Sequence, residues 1–138
     1  MKDFFISYNK ADRRWAEWIG WELEEAGYSI VIQAWDFKPG GNFVLEMNKA
    51  IQEAQCILTV LSPDYLEAHY THPEWAAAFA QDPKGVKRTL IPVRISECDL
   101  SGLLKQIIYV DLVGLDEASA RERLLQYVSG KRGKPAEP

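Results

Sequence analysis

The sequence predicts an α/β fold in which a parallel sheet carries helices on both faces. Short, β-rich apolar runs alternate with helical patterns, and the connections between them are short. The run CILTVL at 56–61 shows little alternation of apolar and polar residues, which is typical of a central parallel strand buried on both faces. A chain of 138 residues with 47% hydrophobic residues is long enough for one domain with a real core.

The first part of the chain predicts a strand, a helix and a second strand. FFISY at 4–8 is the first strand, and YSIVIQA at 28–34 is the second. Between them, residues 11–27 predict a helix, because apolar residues recur at spacings of three and four and Gly27 supplies a C-terminal cap. This apolar stripe consists of Trp15, Trp18, Ile19, Leu23 and Ala26. Trp21 lies on the opposite side of the helix, either as an interface residue or as a half-covered surface ring.

A loop, a helix and the central strand occupy the middle of the chain. WDFKPGGN at 35–42 is predicted as a loop because it contains a Pro-Gly-Gly run. Residues 43–54 predict a helix with one apolar face, and the buried strand at 56–61 follows. An irregular stretch is expected to start at 62–64.

The end of the chain predicts two further strands, at 89–95 and 107–112, and a closing helix at 116–129. The tail at 130–138 is polar, basic and rich in proline and glycine, so it is expected to be a linker or disordered tail that leads to a further domain in a longer protein. The α/β domain is therefore assigned to residues 1–129.

A third helix is expected to begin at Pro73, within the segment HYTHPEWAAAF at 69–79. Proline suits the first position of a helix, because its missing N–H would have no partner there in any case. Glu74 then lies in the first helical turn, where a carboxylate meets the positive end of the helix dipole. Taken alone, this placement explains Glu74 as a helix-terminal acid.

Charge and composition restrict the partners and the setting of the chain. The net charge of −4 and the sequence pI near 5.2 argue against binding to nucleic acid or to an anionic membrane surface. No apolar run approaches the roughly 20 residues of a membrane span. Cys56 and Cys98 do not form a disulfide framework, which indicates a reduced, cytoplasmic setting.

The chemistry is expected at the carboxyl ends of the strands, where open parallel sheets bind their ligands. Three polar and aromatic segments follow the first three strands, at 7–10, 35–42 and 62–70. These segments are the candidate site.

Several other kinds of site are not supported. A phosphoacceptor receiver domain needs acidic residues after the first strand and an aspartate at the end of the third, whereas these strands end in Ser-Tyr-Asn and in Ser62. The chain has neither a Gly-x-Gly-x-x-Gly fingerprint after the first strand nor a P-loop. His69, His72 and Glu74 match no standard metal motif, so no metal is expected. Neither cysteine lies in a nucleophile setting.

Three segments together resemble the TIR (Toll/interleukin-1 receptor) domain family. FFISYNKAD at 4–12 is similar to the family's first box, and WDFKPGGNF at 35–43 is similar to its second box, the Asp-x-x-Pro-Gly of the BB loop. LSPDYLEAHYTHPEW at 61–75 is similar to the segment that leads into the helix with the catalytic glutamate of enzymatic members. The Phe-Trp third box of animal receptors has no counterpart near 107–115, so the resemblance is to bacterial and archaeal members.

This resemblance implies a flavodoxin-like three-layer fold with a five-stranded parallel sheet of order 2-1-3-4-5. It also implies one of two functions. Enzymatic members cleave the nicotinamide–ribose bond of NAD+ to nicotinamide and ADP-ribose or a cyclic ADP-ribose isomer, whereas other members are non-catalytic scaffolds that signal by self-assembly. The enzymatic site uses a glutamate near the start of the third helix and an aromatic residue four positions earlier, here Glu74 and Tyr70. Several relatives have tryptophan at the position of Tyr70.

One carboxylate is enough for this reaction, although ordinary glycosidases need two. Nicotinamide leaves NAD+ as a neutral molecule, so its departure needs no acid. An ionised Glu74 can bind the ribose hydroxyls and stabilise the positive charge that develops on the ribose. NAD+ is thus the expected substrate, and no cofactor is expected.

The resemblance also implies further contacts with NAD+. They are expected from Ser7, Tyr8, Asn9, Lys10, Trp35, Asp36, Phe43 and Tyr70. Structural alternatives stay open for three of them, because Phe43 can be a hydrophobic staple of its helix, and Lys10 and Asp36 can be solvated loop charges.

Assembly with other TIR domains is a further implication. The BB loop of one subunit is expected to cover the pocket of the next, in a head-to-tail contact that builds open filaments. The loop residues are Phe37, Lys38, Pro39, Gly40, Gly41 and Asn42. Similarity to prokaryotic members suggests a role in antiphage defence.

Overall fold

A computed structural model describes residues 1–69, 90–98 and 108–130. Five parallel strands form one sheet with the order β2-β1-β3-β4-β5, which confirms the predicted sheet and strand order. The strands are β1 (Lys2–Ser7), β2 (Ile30–Ile32), β3 (Ala54–Leu61), β4 (Leu90–Arg94) and β5 (Val110–Asp111).

The helices alternate with these strands along the chain. They are α1 (Arg13–Glu25), which follows a 3-10 turn at Lys10–Asp12, then α2 (Gln33–Asp36), α3 (Phe43–Glu53), α4 (Pro63–His69) and α5 (Glu117–Val128). Apart from β5, the ends of the predicted elements that lie in the described residues differ from the observed ends by at most two residues. The helix predicted from Pro73 and most of the tail lie outside the described residues.

Apolar side chains cover both faces of the sheet. Phe4 and Ile6 of β1 point to one face, where they share a buried cluster with residues of α1 and α5. Phe5 points to the other face and packs with Ala50 of α3 and Tyr65 of α4. This alternation of core side chains along β1 follows from the period of two in a strand. It confirms the three-layer α/β architecture.

Gly27 lies in the turn that caps the C-terminal end of α1, as the sequence predicts. Gly27 has φ +96°, a left-handed conformation in which glycine lacks the Cβ penalty of other residues. Its N–H donates to the Glu24 carbonyl at 3.0 Å, and the N–H of Tyr28 donates to the Leu23 carbonyl at 3.0 Å. This pair of hydrogen bonds is a Schellman motif.

The expectation of an irregular stretch from Ser62 is wrong, because α4 begins at Pro63. The Ser62 hydroxyl accepts the Tyr65 backbone N–H at 3.1 Å, and the Ser62 carbonyl accepts the Leu66 N–H at 3.0 Å. A serine cap followed by proline at the first helical position is a favourable helix start.

The segment after β2 also differs from its prediction as strand followed by loop. Residues 33–36 form the short helix α2. The Asp36 carboxylate accepts the backbone N–H of Ile32 at 2.8 Å, and the N–H of Phe37 donates to the Gln33 carbonyl at 3.2 Å. These local hydrogen bonds turn the chain away from the sheet directly after Ile32.

Strand β5 is shorter than the predicted strand at 107–112, since only Val110–Asp111 is a strand. The Leu112 N–H donates to the Arg94 carbonyl at 2.9 Å, so the backbone groups of Arg94 face the β5 side. Pro92, two positions earlier on β4, faces the same side and has no N–H to donate. The missing donor explains why pairing with β4 does not extend further toward residue 108.

No helix in the described parts of the chain is long and apolar enough to cross a membrane.

Candidate functional site

The carboxyl ends of three neighbouring strands form the candidate site. β1 lies between β2 and β3 in the sheet, and all three strands are parallel. The chain leaves β1 at Ser7, β2 at Ile32 and β3 at Leu61. The three segments predicted for the site therefore begin at one edge of the sheet, the edge where parallel α/β sheets bind ligands.

Two side-chain hydrogen bonds join the end of β1 to the start of α4. The hydroxyl oxygens of Ser7 and Tyr65 lie 2.9 Å apart, and these residues are only 4% and 1% exposed. The Ser62 hydroxyl donates a hydrogen bond to the Asp12 carboxylate. Burial raises the pKa of Tyr65 to about 12, although the hydrogen bond with Ser7 acts in the opposite direction. The Tyr65 phenol is therefore neutral at physiological pH.

Thr59 places a further polar atom beside this junction. It lies opposite Ser7 in the register of β1 and β3 and is fully buried. Its hydroxyl has no hydrogen-bond partner in the described residues. A buried hydroxyl without a partner typically costs about 1–3 kcal/mol. The sheet interior at this end is therefore polar, in contrast to the apolar clusters around it.

The loop after β1 holds three predicted substrate contacts in different settings. Tyr8 is half-buried, and burial raises the pKa of its phenol against smaller opposing effects of the Arg13 charge and a hydrogen bond with the Ala34 backbone. The Asn9 side-chain oxygen accepts a backbone N–H at 2.9 Å and caps the 3-10 turn. Lys10 is exposed and makes no ion pair in the described residues. Lys10 is therefore accessible to an anionic ligand.

Trp35 is held at the edge of the site by α1. Its indole Nε1 donates to Glu17 Oε2 at 3.1 Å, and Glu17 Oε1 accepts from Arg13 Nε at 2.6 Å. These two hydrogen bonds, with that from Arg13 the stronger, lower the pKa of Glu17. A Cβ added at Gly20 would lie 3.1 Å from the Trp35 ring, so the ring packs closely on α1. The partly exposed indole has a defined position.

Asp36 has a structural partner in addition to its predicted contact with substrate. One carboxylate oxygen, Oδ2, accepts the Ile32 N–H at 2.8 Å. The other, Oδ1, makes no hydrogen bond in the described residues. The carboxylate thus supports the start of α2 and keeps one oxygen available. Its contact with substrate stays a prediction.

The BB loop leads from α2 into α3 through a turn and a helix cap. Gly40 has φ +86°, and the Gly41 N–H donates to the Lys38 carbonyl at 3.1 Å. The Asn42 side chain then accepts the Leu45 backbone N–H at 3.1 Å and caps α3.

The first turn of α3 exposes apolar surface next to this loop. The Phe37 and Phe43 rings meet edge to face with centroids 6.0 Å apart. Phe43, Val44 and Leu45 are 51%, 64% and 66% exposed. We call these three residues the α3 apolar patch. Three consecutive exposed apolar side chains are a candidate contact surface for another protein.

The other end of the same edge is occupied by an ion pair. Arg94 at the end of β4 binds Asp111 of β5 through two hydrogen bonds, Nε to Oδ1 at 3.2 Å and Nη2 to Oδ2 at 2.8 Å. The Arg94 guanidinium also lies over the Tyr109 ring, 5.5 Å from its centroid. The hydrogen bond from Arg94 lowers the pKa of Asp111. The two hydrogen bonds to Asp111 therefore give Arg94 a structural role, which is to join the ends of β4 and β5.

Two central residues of the predicted site lie outside the described residues. They are Tyr70 and Glu74. In the sequence, Tyr70 directly follows His69, the last described residue of α4. Within residues 1–69, 90–98 and 108–130, no group of three histidine, cysteine or acidic side chains is placed to hold a metal ion.

Comparison with known families identifies the domain. The family model for the TIR domain matches residues 4–125. The chain belongs to the TIR domain family. A search of curated proteins finds no match.

Solved TIR structures share this fold at low sequence identity. The TIR domain of the Toll-related receptor TRR-2 from Hydra magnipapillata is 21% identical, with a TM-score of 0.74 over 94% of this chain and 97% of that one. A TIR-STING receptor from C. gigas, solved with 2',3'-cGAMP, is 23% identical, with a TM-score of 0.75 over 95% of this chain and 40% of the receptor. The TIR domains of the activated Roq1 resistosome are 19% identical, with a TM-score of 0.74 over 93% of this chain and 99% of that one.

Four residues that organise this TIR edge have no role assigned by the sequence analysis, although Ser62 and Tyr65 lie within its candidate segment at 62–70. They are Asp12, Glu17, Ser62 and Tyr65, each of which binds a residue of the candidate site or its supporting turn. The Ser-Pro pair at 62–63 could have predicted the start of α4, because a serine cap followed by proline is typical of a helix start. The pairs Asp12–Ser62 and Ser7–Tyr65 join positions 50 and 58 residues apart, and no local pattern indicates them.

Proposed function

We propose that this TIR domain cleaves the nicotinamide–ribose bond of NAD+, with Glu74 as the catalytic residue. One observation carries the proposal. The Tyr8–Lys10 loop and α4, which leads to Tyr70 and Glu74, start from the adjacent strands β1 and β3 and are joined by side-chain hydrogen bonds. The loop with three of the predicted substrate contacts and the start of α4 therefore lie at one edge of the sheet, which supports the proposal.

The reaction needs stabilisation of positive charge. As the C–N bond breaks, its electron pair leaves with nicotinamide, which departs neutral, and positive charge develops on the ribose. The Glu74 carboxylate stabilises this charge and binds the ribose hydroxyls. Water then adds to the ribose carbon and releases one proton, giving ADP-ribose. Attack by another nucleophilic atom of the same molecule gives a cyclic isomer instead.

The accessible groups around the edge fit the remaining parts of NAD+. Lys10 supplies a positive charge for the pyrophosphate. The partly exposed indole of Trp35 and the exposed ring of Phe43 offer apolar faces for a base. Tyr8, Asn9 and Asp36 supply polar atoms for hydroxyl groups. The predicted contact of Ser7 is indirect in this proposal, since its hydroxyl already binds Tyr65.

Self-assembly is proposed to activate the enzyme. The BB loop and the adjacent α3 apolar patch would contact the next subunit head to tail. The TIR domains of the activated Roq1 resistosome, which recognises a pathogen effector, share the fold of this chain, and so does the TIR-STING receptor. We extend the proposal to a cytoplasmic role in prokaryotic antiphage defence, on the resemblance of the three boxes to prokaryotic members.

Nicotinamide release tests the proposal. The full chain is incubated with NAD+ at high concentration or clustered on a support, and nicotinamide is followed by chromatography. Wild type is expected to release nicotinamide, and Glu74→Gln, which keeps the size of the side chain, is expected to release at least 100-fold less. Equal release of nicotinamide by wild type and Glu74→Gln, or no release by either, would contradict the proposal that this site cleaves NAD+.

A non-catalytic interaction module is the second candidate, and the α3 apolar patch favours it. This function requires assembly without chemistry. It predicts that clustered wild type releases no nicotinamide, that self-association is independent of NAD+, and that Pro39 or Gly40 substitutions abolish it. Assembly that persists in those variants argues against this function.

A further inference from the structure

We propose that the first turn of α4 positions the Tyr8–Lys10 loop for NAD+ binding. The clamp consists of two hydrogen bonds, Ser7–Tyr65 and Asp12–Ser62. This inference rests on the proposed NAD+ cleavage. It assigns Ser62 and Tyr65 as positioning residues, separate from the catalytic carboxylate of Glu74.

The clamp holds the loop at both of its ends. Ser7 directly precedes Tyr8, and Asp12 lies two positions after Lys10. Their partners, Ser62 and Tyr65, lie three positions apart in one helical turn. The two partners are also linked to each other, because the Tyr65 backbone N–H donates to the Ser62 hydroxyl at 3.1 Å. A single turn of helix therefore fixes the entry and the exit of the loop.

The base of the clamp belongs to the core. Tyr65 packs in the buried cluster with Phe5 and Leu61, and only 1% of it is exposed. Leu61 accepts the Ile95 backbone N–H at 3.0 Å, which ties the end of β3 to β4. The Ser7–Tyr65 hydrogen bond is thus shielded from water. In the protein interior a hydrogen bond is electrostatically stronger than in water.

Apart from the clamp, the loop is held at its first residue, because Tyr8 packs on the core and hydrogen-bonds the Ala34 backbone. Its internal hydrogen bonds run from the Ala11 and Asp12 backbone N–H groups to Asn9, at 2.9 Å and 2.8 Å. These bonds shape the turn but do not join it to the sheet. The exposed Lys10 lies between this Tyr8 anchor and Asp12, so the Asp12–Ser62 hydrogen bond fixes the chain on its other side. A preorganised loop binds ligand without a further loss of conformational entropy at that step.

Steady-state kinetics with matched variants test this role. Tyr65→Phe removes one clamp hydrogen bond and keeps the ring, and Asp12→Ala removes the other. Each is expected to raise KM for NAD+ about fivefold to tenfold, with kcat within twofold, the size of one hydrogen bond. Asp12→Asn keeps an acceptor for Ser62 and is expected to restore KM. Tyr28→Phe is the control, because Tyr28 precedes β2 at the opposite edge of the sheet and packs on Phe4.

A loss of folded protein alone would lower the apparent kcat and leave KM unchanged, which separates positioning from general stability. Unchanged KM in both Tyr65→Phe and Asp12→Ala, in an active enzyme, overturns the clamp. An equal rise of KM in Tyr28→Phe also overturns it.

Amide hydrogen exchange tests the clamp without substrate. Peptides that cover residues 8–12 are expected to exchange at least tenfold faster in Tyr65→Phe and Asp12→Ala than in wild type, while peptides of α1 and β4 stay unchanged. Unchanged exchange at 8–12 overturns the clamp, even if wild type cleaves NAD+. Faster exchange at 8–12 in the two variants, together with a wild type that releases no more nicotinamide than Glu74→Gln, supports the clamp as a structural device and overturns its role in NAD+ binding.

Discussion

The Asp36 carboxylate accepts a hydrogen bond from the backbone N–H of Ile32 at 2.8 Å. Ile32 is the last residue of β2, and Asp36 is the last residue of α2. The BB loop begins at the next residue, Phe37, so this contact sets the direction in which the chain leaves the sheet. An acid that the sequence assigns to the substrate therefore also has a role in the backbone.

Substitutions of Asp36 separate the two roles. Asp36→Asn keeps an acceptor for the Ile32 N–H and is expected to unfold at nearly the wild-type denaturant concentration. Asp36→Ala leaves that N–H without its partner and is expected to lose about 1 kcal/mol of unfolding free energy. If the second oxygen binds substrate, both variants raise KM for NAD+. If KM rises in Asp36→Ala and stays at the wild-type value in Asp36→Asn, the only role of Asp36 is its hydrogen bond with the Ile32 backbone.

Gly40 is predicted to be required for the shape of the BB loop. Its φ of +86° is unfavourable for a residue with a Cβ, and nothing lies within 4 Å of a Cβ built there. Gly40→Ala therefore adds backbone strain of about 1–2 kcal/mol without a steric clash. The loop is expected to relieve this strain by changing conformation, with loss of self-association in sedimentation experiments and loss of nicotinamide release.

Gly27 provides the matched control for this substitution. It has φ +96° and open space around a built Cβ, but it lies in the cap of α1. Gly27→Ala is expected to lower stability by a similar amount and to keep self-association. Equal loss of assembly in the two variants would mean that Gly40 acts through stability and not through the loop.

The buried phenol of Tyr65 predicts a loss of stability at alkaline pH. Its pKa of about 12 in the folded protein lies above the ordinary value near 10. Below pH 10 the phenol is protonated in both states, so the free energy of unfolding keeps its full value. As the pH rises from 10 toward 12, the phenol of the unfolded chain loses its proton while that of the folded protein keeps it, and the free energy of unfolding falls. Relative to Tyr65→Phe, wild type is expected to lose about 2 kcal/mol of unfolding free energy between pH 9 and 12. Parallel pH curves for the two proteins would contradict this.

The strand order and most elements were predictable because their signals are local or belong to the family pattern. The apolar run of β3 and the stripe of α1 each identify an element without knowledge of the rest of the chain. The short β5 is different, since its cause is Pro92 on another strand, about 18 positions before Val110. The effect of a strand residue without an N–H on its neighbouring strand can be predicted only when the register of the two strands is known.

The site was predicted by position more than by contact. Lys10 and Trp35 lie at the edge where the sequence places them, in segments that leave β1 and β2. Their supports were not predictable, because Glu17 reaches Trp35 from one turn into α1 and Tyr65 reaches Ser7 from another helix. Such contacts depend on how helices pack on the sheet, which the sequence does not state locally.

The α3 apolar patch predicts a surface for self-association. Val44→Asp places a charge in the middle of the patch, and at the first turn of α3 an acid is also favourable for the helix. This variant is therefore expected to fold as well as wild type and to associate at least tenfold more weakly, because a charge would be buried in the contact. Light scattering over a concentration series measures the change.

Gln52→Asp is the control, since it adds the same charge to an exposed position at the other end of α3, where it is less favourable for the helix. Weaker association in Val44→Asp alone assigns the effect to the patch, and equal weakening in both variants assigns it to net charge.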